Sequence, residues 1–162
     1  MKKGGGKRKG SGFEREIAKD LSLWITKDLR NDIFWRTHSS GSLGTVGGRR
    51  LEYGDIMAID DLGKPLTDNY NIECRCGKCL DIRHLVHPTK NSSIIQLIEE
   101  GRTNAKLSNR KSLWIIKEHG KRILVMLNIG DSSEVGHLVK ADFPIFSICL
   151  VTYEDWKREF KL

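Results

Sequence analysis

Residues Asn71 to Cys79 read "NIECRCGKC", and two patterns overlap in them. As a strand, whose side chains alternate between faces, the stretch puts Glu73 and Arg75 on one side and Cys74 and Cys76 on the other. One face therefore offers a carboxylate beside a permanent cation. The other offers thiols, with Cys79 completing a C-x-C-x₂-C spacing for which His84, His87 or Cys149 could supply a fourth zinc ligand. The second C-x₂-C pair that makes such spacings specific is missing, and small thiols on a buried strand face are ordinary core residues, so the core reading is preferred.

Upstream, "YGDIMAIDDLGKPLTDNY" (Tyr53 to Tyr70) predicts a strand over about Asp55 to Asp60, a turn-rich connection through "DDLGKPLTDN", and a second strand beginning near Tyr70. Asp55 stands at the start of its strand, where a side chain can reach a cleft. Asp55, Glu73 and the backbone carbonyl of Cys74 together offer oxygen ligands suited to a hard divalent cation such as Mg²⁺, with Mn²⁺ as the alternative.

Closer to the N-terminus, Ser11 and Glu14 have the spacing of a capping box. Phe13, Ile17, Ala18, Leu21, Trp24 and Ile25 recur at helical intervals to about Asp28. At about 100° per residue Glu14 falls within the apolar stripe, while Glu16 points to solvent. A carboxylate on the core-facing stripe is costly unless paired or beside a metal. Its bland role is to complete the capping box. The preceding residues 1–10 interleave lysine and arginine with glycine and predict a flexible basic arm, either a solvated tail or, if the residues that follow form a nuclease, an arm in which Lys7, Arg8 and Lys9 bind phosphate through counterion release. A single domain is expected over residues 11–162.

Between helix and strand, "DIFWRTHSSGSLGTVGGRR" (Asp32 to Arg50) suggests a short strand at Ile33 to Trp35 and a mobile loop from Ser39 to Gly48. Arg36, Arg49 and Arg50 flank the loop as candidate phosphate contacts. The loop lacks the Lys-Ser/Thr ending of a P-loop, so no nucleotide cofactor is expected.

"KGSGFERE", "FWRTHSSG", "YGDIMAID" and "IECR" follow one another in an order and spacing that resembles Holliday-junction resolvases of the archaeal and phage type, within the PD-(D/E)xK nuclease superfamily. The resemblance covers roughly Lys9 to Lys78. It implies a restriction-endonuclease-like fold and metal-dependent phosphodiester hydrolysis. The catalytic set it implies is Glu14, a loop serine at Ser40 or less favourably Ser39, Asp55, Glu73 and Arg75, with the metal on Asp55, Glu73 and Cys74. Two departures stand out. Gly54 replaces the usual proline, a change expected to matter little to chemistry, and Arg75 replaces the usual lysine. Lys78 is the other candidate for the lysine's role, but alternation places it on the opposite face unless Gly77 permits a bulge. The resemblance further implies a homodimer making paired incisions in four-way DNA junctions. Two alternatives stay open: a nuclease of the same superfamily acting on linear, nicked or single-stranded DNA, and a non-catalytic DNA-binding protein that keeps the fold.

The second half supplies scaffold. A helix is expected over Ser92 to Leu107 with Gly101 a weak point, then two strands around a turn at His119 and Gly120, a strand after Pro144, and a terminal helix started by Thr152 and Asp155 and running through Phe160. His84 and His87 are expected in a loop without a positioning partner, and Gln96 on the helix surface. The order of elements indicates an α/β fold with a central mixed β-sheet flanked by helices. The 162 residues, 38% of them hydrophobic, suffice for one continuous core, and the net charge of +7 suits a polyanionic partner. No apolar run approaches the roughly 20 residues of a membrane span, and no secretory signal is evident, so no membrane partner and a cytoplasmic site of action are expected, the host cytoplasm if the chain is phage-encoded.

Overall fold

The sheet is built around the stretch "SLWIIK", whose apolar run is continuous because both of its faces are covered. In a computed structural model of the chain, the described residues are 5–37, 53–77, 80–87, 89, 92–118, 120–131, 141–143 and 146–160. The elements are α1 (Gly5–Ile25), β1 (Phe34–Arg36), β2 (Ile56–Ala58), α2 (Lys64–Asn69), β3 (Tyr70–Gly77), α3 (Ser93–Ser108), β4 (Lys111–Glu118), β5 (Ile123–Asn128), β6 (Ala141–Phe143), β7 (Ile148–Thr152) and α4 (Tyr153–Glu159). Five strands form one sheet in the order β3-β4-β5-β7-β6, and β1 pairs with β2 in a small second sheet. β3 and β4 run parallel and every other pair is antiparallel. The central mixed sheet expected from the sequence is therefore present, with helices on both faces.

Alternation along β4 divides the core. Leu113 and Ile115 join Phe13, Ile17 and Leu21 of α1 with Tyr153 and Trp156 of α4. Trp114 and Ile116 turn to Ile94, Leu97 and Ile98 of α3. On the first face α1 and α4 are bound together: Trp24 packs on Trp156 with ring centroids 5.4 Å apart and donates its indole N–H to Lys157 O at 3.0 Å.

Several local expectations need correction. α1 begins at Gly5, so Ser11 lies inside the helix and is not its N-cap. Lysine and arginine are good helix formers, and extending a helix already nucleated by its packed stripe costs little, which outweighs the glycines at its start. Residues 5–10 of the expected basic arm thus have helical backbone. The helix stops at Ile25, before a turn in which Lys27 and Asp28 take positive φ. "DDLGKPLTDN" is not merely a turn: Asp60 caps a 3₁₀ turn at Asp61–Gly63 through Leu62 N–H, and α2 follows with Pro65 in its first turn and Leu66 and Thr67 buried. Gly101, weak in helix propensity, is also a packing position, because an added Cβ would stand 2.8 Å from Trp114 Cε2. His84 has a partner, with Nδ1 3.0 Å from Ser92 Oγ. β6 precedes Pro144 and was not expected; the strand expected after Pro144 is β7. The terminal helix is capped as foreseen, Thr152 Oγ1 accepting from Asp155 N–H at 3.2 Å.

Candidate active site

β3 is the edge strand of the five-stranded sheet among the described residues, and the candidate residues collect along that edge. Its alternation follows the sequence reading. Cys74 is buried in the α1 face of the core with Cys76 packed against it, while Glu73 and Arg75 reach toward α3. Burial pushes the Cys74 thiol well up, as suits a small apolar side chain in the core. Cys79 and Lys78 lie outside the described residues, as do Ser39, Ser40, Arg49 and Arg50.

Asp55 is fixed from both its backbone and its side chain. Its N–H donates to Ile72 O at 2.7 Å, and its Oδ2 accepts from Cys74 N–H at 2.8 Å. Because the N–H and C=O of one strand residue face the same edge, the Cys74 carbonyl faces the Asp55 side too. Gly54 brings the chain there with φ at 90°, and a Cβ would meet Ile72 O at 2.9 Å and Asn71 Oδ1 at 3.0 Å. Proline, locked near −65°, cannot adopt this conformation. The glycine therefore sets the path of the chain into Asp55, a backbone role beside the expectation that its replacement of proline matters little to chemistry.

Glu73 is buried, and its Oε1 accepts from two side-chain amides, Asn71 Nδ2 and Asn104 Nδ2, each at 3.0 Å. Burial raises its pKa first and the negative charge of Asp55 second, whereas the amides of Asn104 and Asn71 pull it down. Glu14 enters from α1, half-buried as its place on the apolar stripe requires. Burial and then Asp55 raise its pKa, against the opposing pull of Arg36. Arg36 Nε lies 3.0 Å from Glu14 Oε2, although its N–H makes no aligned hydrogen bond. Ser22 sets this pairing: its Oγ donates to Ala18 O and accepts from Ile33 and Phe34 N–H, riveting the start of β1 to α1. Arg75 is exposed and stands 3.7 Å from Glu100, a contact too long and too wet to bind it firmly.

The cluster thus joins Glu14, Asp55, Glu73 and Arg75, each carboxylate near enough to feel another's charge. Among the described residues no three His, Cys, Asp or Glu side chains already stand as a closed metal cage. The donor chemistry nevertheless fits a hard divalent cation, since all the candidate ligands are oxygens and their mutual repulsion is what such a charge relieves. Lys7, Arg8 and Lys9 fall on the first turns of α1, and nothing is described of their side chains. Gln96 is exposed, as expected. Asn71 and Asn104 went unnoticed in the sequence. Asn71 had a signal, standing two residues before Glu73 and so on the same strand face; Asn104 had none, being brought in only by the packing of α3 on β3.

The family described as "Phage putative PDDEXK endonuclease" matches residues 5–161, nearly the whole chain. The chain belongs to this family. It is a nuclease by that membership. No curated protein matches the chain. Among solved structures, the Holliday junction resolvase Hjc of Archaeoglobus fulgidus is similar over 91% of this chain and 93% of its own, at 13% identity and a TM-score of 0.36.

Proposed function

We propose that this chain is a Mg²⁺-dependent endonuclease that resolves four-way DNA junctions by paired phosphodiester hydrolysis as a homodimer. The observation that carries the hydrolytic part is the set of Glu14, Asp55 and Glu73 around the β3 edge, with Arg75 on the same strand face as Glu73. Junction preference and the two-fold assembly rest on the order and spacing of the four sequence blocks. The net charge of +7 suits the polyanionic substrate.

Asp55, Glu73 and the Cys74 carbonyl would hold the cation, with Glu14 contributing directly or through water. When bound, such a cation acidifies a coordinated water and offsets the charge that builds on the scissile phosphate. The protein's own residues supply position. Cys74 N–H orients Asp55, and the two asparagines restrain one oxygen of Glu73 and favour its ionised form. Arg75 serves as a fixed positive charge for phosphate. It is no general base, since the guanidinium does not give up its proton. Lys7, Arg8, Lys9, Arg49 and Arg50 would add phosphate contacts, Ser40 would stand on the substrate side, and the protein would act in the cytoplasm.

The test is cleavage of end-labelled four-way junctions and matched linear duplexes in Mg²⁺ or EDTA. Paired nicks in the junction alone, abolished by EDTA, are expected. Equal cutting of both substrates would support the broader nuclease reading, and binding without any cutting the non-catalytic one.

A further inference from the structure

A second feature lies outside the carboxylate cluster. Trp35 is 52% exposed, although an indole normally buries most of its surface. Its neighbour Phe34 is buried, as strand alternation requires, and Trp35 shares the outer face of the small sheet with its register partner Met57. Beside it opens a cavity of about 240 Å³ between α1 and β1. Ala18 and Phe34 give this hollow apolar walls. Arg15 and Lys19, on the same side of α1 at helical spacing, and Arg36 from β1 bring three cations to it. No acid is among the described residues that line it. Arg36 also reaches Glu14, so the hollow adjoins the candidate active site directly.

A half-exposed indole at the rim of a hollow that also takes in three cationic side chains has the chemistry that binds single-stranded nucleic acid: the π-face takes a base, and the cations take the phosphates on either side. The volume lies below the roughly 300 Å³ at which pockets for whole cofactors begin, and suits one planar ring system. We propose that Trp35, with Arg15, Lys19 and Arg36, forms a stacking site for one unstacked nucleobase next to the scissile position. A branched substrate supplies such a base at its crossover, where stacking is interrupted. The inference deepens the nuclease reading by naming the part of the substrate that the protein grips.

The experiment titrates the full chain in EDTA, where no cleavage occurs, with oligothymidylate and with a four-way junction, reading tryptophan emission and affinity together. Of the four tryptophans, Trp114 and Trp156 are fully buried and Trp24 is half-buried against Trp156, with its indole N–H bonded to Lys157 O, so stacking at the hollow quenches mainly Trp35. Wild-type emission should fall on binding. Trp35→Phe should lose most of that quench but stay within about threefold in affinity, and Trp35→Ala should bind both ligands roughly 5- to 150-fold more weakly. Arg15→Ala with Lys19→Ala should lower the dependence of binding on salt. Unchanged affinity of Trp35→Ala, or a quench that survives in Trp35→Phe, overturns the proposal. Conversion of a wild-type dimer to a monomer by Trp35→Ala in light scattering would overturn it as well, making the patch a contact between copies. Junction cleavage by a wild type whose Trp35→Ala variant binds normally would sink the stacking site and leave the nuclease reading standing. Quenching without cleavage would support the stacking site while the nuclease reading failed.

Discussion

Replacing Asn104 with alanine removes one of the two amides that hold Glu73 Oε1, and its effect separates a positioning residue from a merely structural one. The lost hydrogen bond is 3.0 Å long and ends on a carboxylate with only 8% of its surface exposed. Bonds to charged groups contribute about 1.5–3 kcal/mol. Asn71 still donates to the same oxygen, and Asn104 is only partly buried, so the lower end applies, about 1.5–2 kcal/mol. For a chain of this size that corresponds to a fall of roughly 3–8 °C in Tm near neutral pH. Because the bond favours the ionised form, the difference should shrink as pH falls toward the ordinary glutamate value of 4.5 and Glu73 takes up its proton. The loss should also reach the metal, since groups that orient ligands typically control 10–100-fold in metal affinity or activity. Asn104→Ala should therefore need at least about tenfold more Mg²⁺ for half-maximal junction cleavage, and the acid limb of its pH–rate profile should move to higher pH. A variant that melts earlier but keeps the wild-type Mg²⁺ requirement and pH profile would refute the reasoning.

Three further outcomes follow from the same geometry. The pKa of Glu73 is raised in the folded state, so its contribution to stability is present below pH 4.5 and is lost as pH rises through the folded value; in EDTA, Glu73→Gln should melt above wild type at pH 8 and lose that advantage by pH 4, and a lower Tm at pH 8 would contradict the cost of burying that charge beside Asp55. Gly101→Ala gains about 1 kcal/mol of helix propensity but drives a methyl into Trp114, at an overpacking cost of about 1–3 kcal/mol; calorimetry should show a net loss, and a raised Tm would mean that the ring yields freely. Arg75→Lys should preserve or increase single-turnover cleavage, Arg75→Ala should lower it, and Lys78→Ala should matter less; abolition by Lys78→Ala alone, with junction binding intact, would transfer the role to Lys78.

The two-face reading of β3 was legible because a period of two is imposed by the backbone whatever the neighbours are. Glu14 was legible for the same kind of reason, since a carboxylate on an apolar helical stripe stands out against a regular pattern. What the sequence hid depends on long-range packing or on backbone conformation. Asn104 lies 31 positions from Glu73 and is brought to it only by α3 docking on β3. Gly54 looked like a chemically silent substitution because its positive φ and its closeness to Ile72 O are properties of the folded chain. Gly101 looked weak on propensity alone, and only the position of Trp114 shows what the missing side chain makes room for. The start of α1 was misplaced because Ser11 and Glu14 offer a persuasive cap, while the cost of prolonging a helix that is already packed is small.

The most direct measurement of the central claim is single-turnover cleavage of a labelled four-way junction by wild type and Asp55→Asn, with junction binding measured in EDTA on the same preparations. Asp55 Oδ2 is held by Cys74 N–H, a bond that the amide oxygen of asparagine can still accept, so the fold and the phosphate-binding surface should survive the change. The account predicts Mg²⁺-dependent paired incision by wild type and a loss of orders of magnitude in Asp55→Asn, with affinity for the junction nearly unchanged. Near-normal turnover by Asp55→Asn at limiting Mg²⁺ would contradict it.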